Sequence, residues 1–183
     1  MPKQKQTRKS IPWFWYAGGA VLIVVIAVGL YFGFAGSRPQ SNTTNDTLAL
    51  AKGQVIDGIR CETSESLLFH IHIQLTIFIE GQEQTVPANI GILSNCLYWL
   101  HTHDDTGLIH VESPIQRDFT LGDFFDIWGK PLSSQRLLDK TVDAEHSVRA
   151  YVDGQLYLGD PRAIALKDLE KIALMYGPPF PNP

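Results

Sequence analysis

The chain has 183 residues, 19% of them charged, and a formal net charge of −4. That length fits one modest domain plus a shorter segment, and the ordinary charged fraction excludes an acidic or basic disordered polymer. Basic residues beyond the first ten positions are scattered and form no stripe that could follow phosphates, so nucleic acid is not an expected partner.

Residues 1–10 carry Lys3, Lys5, Arg8 and Lys9 and read as a basic cytoplasmic tail. No charged residue then occurs from Ile11 to Gly36. The run exceeds the ~20 apolar residues needed to cross a hydrocarbon core, so residues 11–36 read as a single transmembrane helix. Trp13, Trp15 and Tyr16 fall where an aromatic belt meets the interface. A cleaved signal peptide is the rival, with Ala35, Gly36 and Ser37 as small residues near a cut, but its apolar region would span only ~7–15 residues. Either reading places the rest of the chain outside the cytoplasm. Residues 37–53 are polar and read as a linker, residues 54–177 as an extracytoplasmic globular domain, and residues 178–183 as a tail.

Cys61 and Cys96 are the two cysteines. Outside the cytoplasm such a pair oxidises, and no C-x-x-C spacing favours a thiolate metal site. The bridge would close a loop of about 36 residues and stabilise the fold by ~3–4 kcal/mol through loop-closure entropy.

Residues 69–82, FHIHIQLTIFIEGQ, alternate with period two. Phe69, Ile71, Ile73, Leu75, Ile77 and Ile79 fall on one face of a strand, and each is worth ~1.5–3 kcal/mol when buried, before entropy. Glu80-Gly81 reads as a turn and EQTVPANIGI as a returning second strand, with Pro87 marking an edge or exit. CLYWLHTH, DDTG and LIHVES follow as a second hairpin.

RDFTLGDFFDIWGKP reads as a short helix. Thr120 and Asp123 stand in capping-box positions, and Leu121, Phe124, Phe125 and Trp128 form one apolar stripe. Gly129 and Pro131 end it. Residues 133–140 are expected to form another helical turn. Residues 148–160 read as a hairpin around Asp153-Gly154, and residues 171–176 as a terminal strand covering the exposed edge beside 148–152.

The expected class is α+β, a mixed sheet packed on one short helix. The order of elements over residues 66–177, with AYVDG at 150–154 and LKDLEKIALMYG at 166–177, resembles the β-grasp layout, which implies a fold and no activity. A small β-sandwich of cupredoxin or cupin type is the alternative. Against a cupin, Glu80 lies too far beyond His70 and His72, and the positions where that glutamate should fall hold Thr76 and Ile77. The WLHTHD…GLIHVESP block resembles one found in uncharacterised membrane-anchored extracytoplasmic proteins, which implies location and no chemistry.

Two H-x-H pairs stand out, His70/His72 and His101/His103. Residues two apart on a strand point the same way, so both imidazoles can reach one ion. If residues 104–107 form the hairpin loop, His101 lies opposite His110 and Trp99 opposite Glu112, and His101, His103 and His110 converge. A three-residue loop with Gly107 in a left-handed bulge would instead turn His110 away. The even register segregates apolar from polar side chains better.

Three histidines from an H-x-H strand and its neighbour resemble the zinc-ligand pattern of carbonic anhydrases, and only that ligand geometry carries over, onto His101, His103 and His110. Asp105 or Glu112 would supply a fourth ligand or orient a ring. His146, Glu62 and Glu65 read as ordinary surface charges, and solvated histidines on a polar face are the plain alternative to a site.

Three functions are open at this point. The first is a membrane-anchored extracytoplasmic domain that binds zinc or copper without catalysis, in metal handling or sensing. The second is a metal-free module that contacts another envelope protein. The third is a metal-dependent hydrolase or lyase with ion-activated water. No G-x-S-x-G, phosphate loop or free thiol argues for other catalysis.

Overall fold

The computed structural model describes residues 53–183. The basic tail, the apolar segment at 11–36 and the linker up to residue 52 lie outside the described residues. Among the described residues no helix is long and apolar enough to cross a membrane.

The strands are β1 (Cys61–Glu62), β2 (Phe69–Ile79), β3 (Gln82–Gln84), β4 (Leu97–Tyr98), β5 (Leu100–His101) and β6 (Leu108–Ser113). After the helix α1 (Leu121–Trp128) come β7 (Leu132–Ser133), β8 (Arg136–Leu137), β9 (Lys140–Thr141), β10 (Ser147–Val152), β11 (Gln155–Tyr157) and β12 (Lys171–Gly177). The main sheet runs β11-β10-β12-β2-β6-β5, with β3 also paired to β2. β12 and β2 are parallel neighbours, and the sheet's other pairings are antiparallel. The described part is thus mostly sheet with one helix, an α+β arrangement.

The alternation in β2 sets the two faces of the sheet. Ile71, Ile73, Leu75 and Ile77 are buried, opposite Val111 and Ile109 of β6 and beside Ile172 and Leu174 of β12. The intervening residues, His70 and His72 among them, stand on the other face. Helix α1 adds Leu121, Phe124, Phe125 and Ile127 to the core, all at 0% exposure. Ile127 takes the deep position expected for Trp128, which is only half-buried. The capping box forms as its spacing dictates: Asp123 N–H donates to Thr120 Oγ1 at 3.2 Å and Thr120 N–H to Asp123 Oδ2 at 2.9 Å. Gly129, at φ 70°, closes the last turn in the left-handed region.

Both expected two-residue turns are present. Glu80 and Gly81 have positive φ (50° and 78°), as do Asp153 and Gly154 (49° and 76°), the type I′ pattern that matches strand twist. β12 does cover the edge of β10, and it also reaches β2, so the last strand is central rather than marginal.

Two expectations are corrected. The returning strand after Gly81 stops at Gln84. Pro87 lacks an N–H, and Asn89 and Gly91 sit at φ 61° and 74°, which breaks extended pairing. The segment instead runs alongside β4 and the end of β5, with Thr102 N–H donating to Ile90 O at 3.1 Å and Tyr98 N–H to Gly91 O at 2.8 Å. Residues 133–140 form no helical turn. They belong to the three-stranded meander β7-β8-β9, whose two-residue strands are too short to show a period in sequence.

Candidate metal centre

The hairpin adopts the even register. His101 pairs with His110 and Leu100 with Val111, and Glu112 N–H donates to Trp99 O at 2.7 Å. β6 pairs on its other side with β2, so that His110 faces His72 and Glu112 faces His70. Cross-strand partners share a face and stand ~4.5–5.5 Å apart at Cβ. Three neighbouring strands therefore carry one row, His101–His110–His72, with Glu112 and His70 directly behind it. His103 adds to this from the start of the loop after β5.

The loop is shaped locally. The Asp104 carboxylate accepts from Thr106 N–H at 3.0 Å and from the Thr106 hydroxyl, which holds that carboxyl below its ordinary pKa. Gly107 has φ 80°, as an odd-length bulge would require, yet the register stays even. Its left-handed turn serves another end, since its carbonyl accepts from Leu75 N–H at 2.9 Å and docks the loop on β2.

His101 is fully buried, and its Nδ1 lies 2.9 Å from Tyr98 O. A carbonyl only accepts, so Nδ1 carries the proton and Nε2 presents a lone pair. That Nε2 lies 3.2 Å from His103 Nε2. Two nitrogens on one tetrahedral ion at ~2.0–2.1 Å stand ~3.3–3.4 Å apart, close to this separation. The Tyr98 carbonyl is placed as the outer partner that would fix this imidazole if it ligated a metal.

Glu112 is 5% exposed. Its Oε1 lies 3.3 Å from His70 Nε2 and 3.5 Å from His110 Nδ1, and its Oε2 lies 4.0 Å from His101 Nε2. Glu112 Oε2 and His110 Nδ1 are buried without a hydrogen-bond partner. Buried polar atoms left this way cost ~1–3 kcal/mol each, more for a charged group, and a cation among them would satisfy both. The ligand atoms of His101, His103, His110 and Glu112 lie within 4.8 Å of one another, and so do those of His70, His72 and His110.

Burial lowers the pKa of His101, and it lowers that of His110 to about 4, helped by the neighbouring His103, His72 and His70. The lowered values favour the neutral form of both rings, the form that binds metal, and His110 keeps it down to about pH 4. For the metal-free chain the sign is fixed by linkage. Below the ordinary histidine pKa of 6.5 the unfolded chain binds protons that the folded rings refuse. The stability contribution is complete above about 6.5 and is lost as pH falls towards about 4. Urea unfolding of the metal-free chain at pH 7.5, 6 and 5 should show a falling midpoint, on the order of 1 kcal/mol after solvent screening. The His110→Gln variant should show less of it, and a flat profile would contradict the buried neutral rings.

Of the residues singled out in sequence, six meet: His70, His72, His101, His103, His110 and Glu112. Asp105 does not join them. It is exposed and lines a cavity of about 180 Å³ with Glu83, Gln84 and Thr106, which none of the five histidines touches. Glu65, read as a plain loop charge, has Oε1 3.8 Å from His103 Nε2. The signal that places it is the disulfide, since Cys61 bonds Cys96 and β1 pairs with β4 just ahead of His101. His146, also read as a surface charge, is partly buried, with its Nδ1 2.9 Å from Asp143 Oδ1 and its ring stacked on Tyr176. Compared with protein-family models, with curated proteins and with solved structures, the chain matches none.

Proposed function

We propose that this chain is a membrane-anchored extracytoplasmic protein whose outer domain binds a transition-metal ion, zinc or copper, in metal handling or sensing. The observation that carries this reading is the paired deficit at Glu112 Oε2 and His110 Nδ1 beside two ring nitrogens 3.2 Å apart. Imidazole and carboxylate donors suit zinc, and copper binds such a set more tightly where both are free. Four protein ligands leave no open position for water, which favours holding an ion over hydrolase or lyase chemistry. The uncharged run at 11–36 supports the anchor and the lipid bilayer as a partner, and the Cys61–Cys96 bridge supports an oxidising compartment. The parallel β2–β12 pair, with α1 between them in sequence, supports a β-grasp-like domain over a sandwich.

The second reading, a metal-free envelope interaction module, is favoured by exposed Leu67, Leu68, Leu158 and Leu169. Metal binding separates the two. The full chain in mild detergent, stripped of metal and equilibrated with micromolar zinc or copper, is expected to retain at least one equivalent. His101→Ala should weaken retention by at least about tenfold, the loss that even an outer partner's removal causes. No retention at micromolar metal would leave the interaction module.

A further inference from the structure

We infer that the histidine face holds two ions, with the Glu112 carboxylate bridging them and His110 between. This rests on the metal-binding reading and extends it. The two candidate groups stand on opposite sides of β6. His101 and His103 come from β5 and the loop after it, and His70 and His72 come from β2. Strands neighbour at ~4.7–4.9 Å, so the two H-x-H pairs stand on backbones ~9–10 Å apart, which suits two ions better than one.

The residues on the intervening strand face both ways. Glu112 directs Oε1 at His70 Nε2, at 3.3 Å, and Oε2 towards His101 Nε2, at 4.0 Å. A carboxylate whose two oxygens approach different histidines is arranged to bridge. His110 belongs to both groups, and its ring centroid lies 4.6 Å from that of His103 and 4.7 Å from that of His72. The neutral ring has a lone pair on only one nitrogen, so His110 can complete either ion and Glu112 alone bridges the two. Each ion would then have two imidazoles of its own and one oxygen of Glu112, with His110 completing one of the two.

The charge is manageable. Glu65 lies 3.8 Å from His103, and the Asp104 carboxylate is near enough to act on His110. Paired ions of this kind in proteins stand ~3.5–4 Å apart when oxygen bridges them.

The test is a copper(II) titration of the full chain in detergent, followed by metal content and electron paramagnetic resonance. The wild type is expected to bind two equivalents. The second should replace the isolated-ion spectrum with that of a spin-coupled pair, including a half-field signal. His70→Ala/His72→Ala removes two side chains from the polar face of β2, and circular dichroism checks its fold. It should lose one of the two equivalents and give only the isolated spectrum. His103→Ala, at a partly exposed ring, should likewise abolish the coupled signal.

One equivalent in the wild type, unchanged in His70→Ala/His72→Ala, would overturn the pair and leave the single-ion reading standing. One equivalent lost in both variants would overturn it too. Two equivalents with no spin coupling would overturn the bridge. No copper bound would overturn both readings.

Discussion

Gly107→Ala is expected to destabilise the chain by about 3–5 kcal/mol, among the largest effects of any single substitution. Two costs add. Gly107 sits at φ 80°, where an L side chain costs ~1–2 kcal/mol. A methyl group there would also lie 2.2 Å from Leu75 O and 3.1 Å from Gln74 Nε2. The first contact is with backbone, so no rotamer change relieves it. Relief requires lifting the loop from β2, which breaks the Leu75 N–H to Gly107 O bond and strains the Gln74 Nε2–H to Thr106 O bond at 2.7 Å. β6, carrying His110 and Glu112, begins at the next residue, so metal affinity should fall with stability. Gly154→Ala is the matched control. It has φ 76° with nothing within 4 Å of the added carbon, so it should cost only the left-handed term, about 1–2 kcal/mol. Urea unfolding of both variants checks this. Equal losses would show that the close approach at Gly107 contributes nothing.

Removing the disulfide as Cys61→Ala/Cys96→Ala should cost about 3–4 kcal/mol, from a bridge between residues 35 apart. The damage should also reach the histidines. The bridge clamps β1 on β4, where Cys61 pairs with Tyr98. Tyr98 is fully buried, its hydroxyl donates to Gln54 O at 2.6 Å, and its carbonyl orients His101. Loosening that carbonyl frees the ring to rotate or change tautomer, so metal affinity should drop about tenfold or more. Unfolding and metal competition on the same protein check both parts. Unchanged affinity at reduced stability would place His101 outside the influence of Tyr98.

Much of the local structure is legible before any coordinates. Eleven residues of β2 announce themselves by alternation, and Thr120 with Asp123 marks the helix start. The hairpin register follows from putting Leu100 opposite Val111 and the polar residues on the other face. These signals are periodic or lie within a few positions of each other. What sequence does not carry is which strand lies beside β6. The β2–β6 pairing joins residues about forty positions apart, and it alone brings His70 and His72 to His110 and sets Glu112 at the middle of the cluster. Asp105 and Glu112 are chemically equivalent as sequence candidates. Only the pairing of Glu112 with His70 separates them, because it turns one carboxylate inward while the loop leaves the other in solvent. The meander β7-β8-β9 is illegible for a simpler reason, since two-residue strands have no period to read.

X-ray absorption at the zinc edge of the zinc-loaded full chain tests metal binding by this cluster most directly. The expected spectrum has nitrogen and oxygen neighbours at ~2.0–2.1 Å with the outer-shell scattering of several imidazole rings, weakened in His101→Ala. A shell of oxygen alone, or an imidazole signature untouched by that substitution, would contradict it.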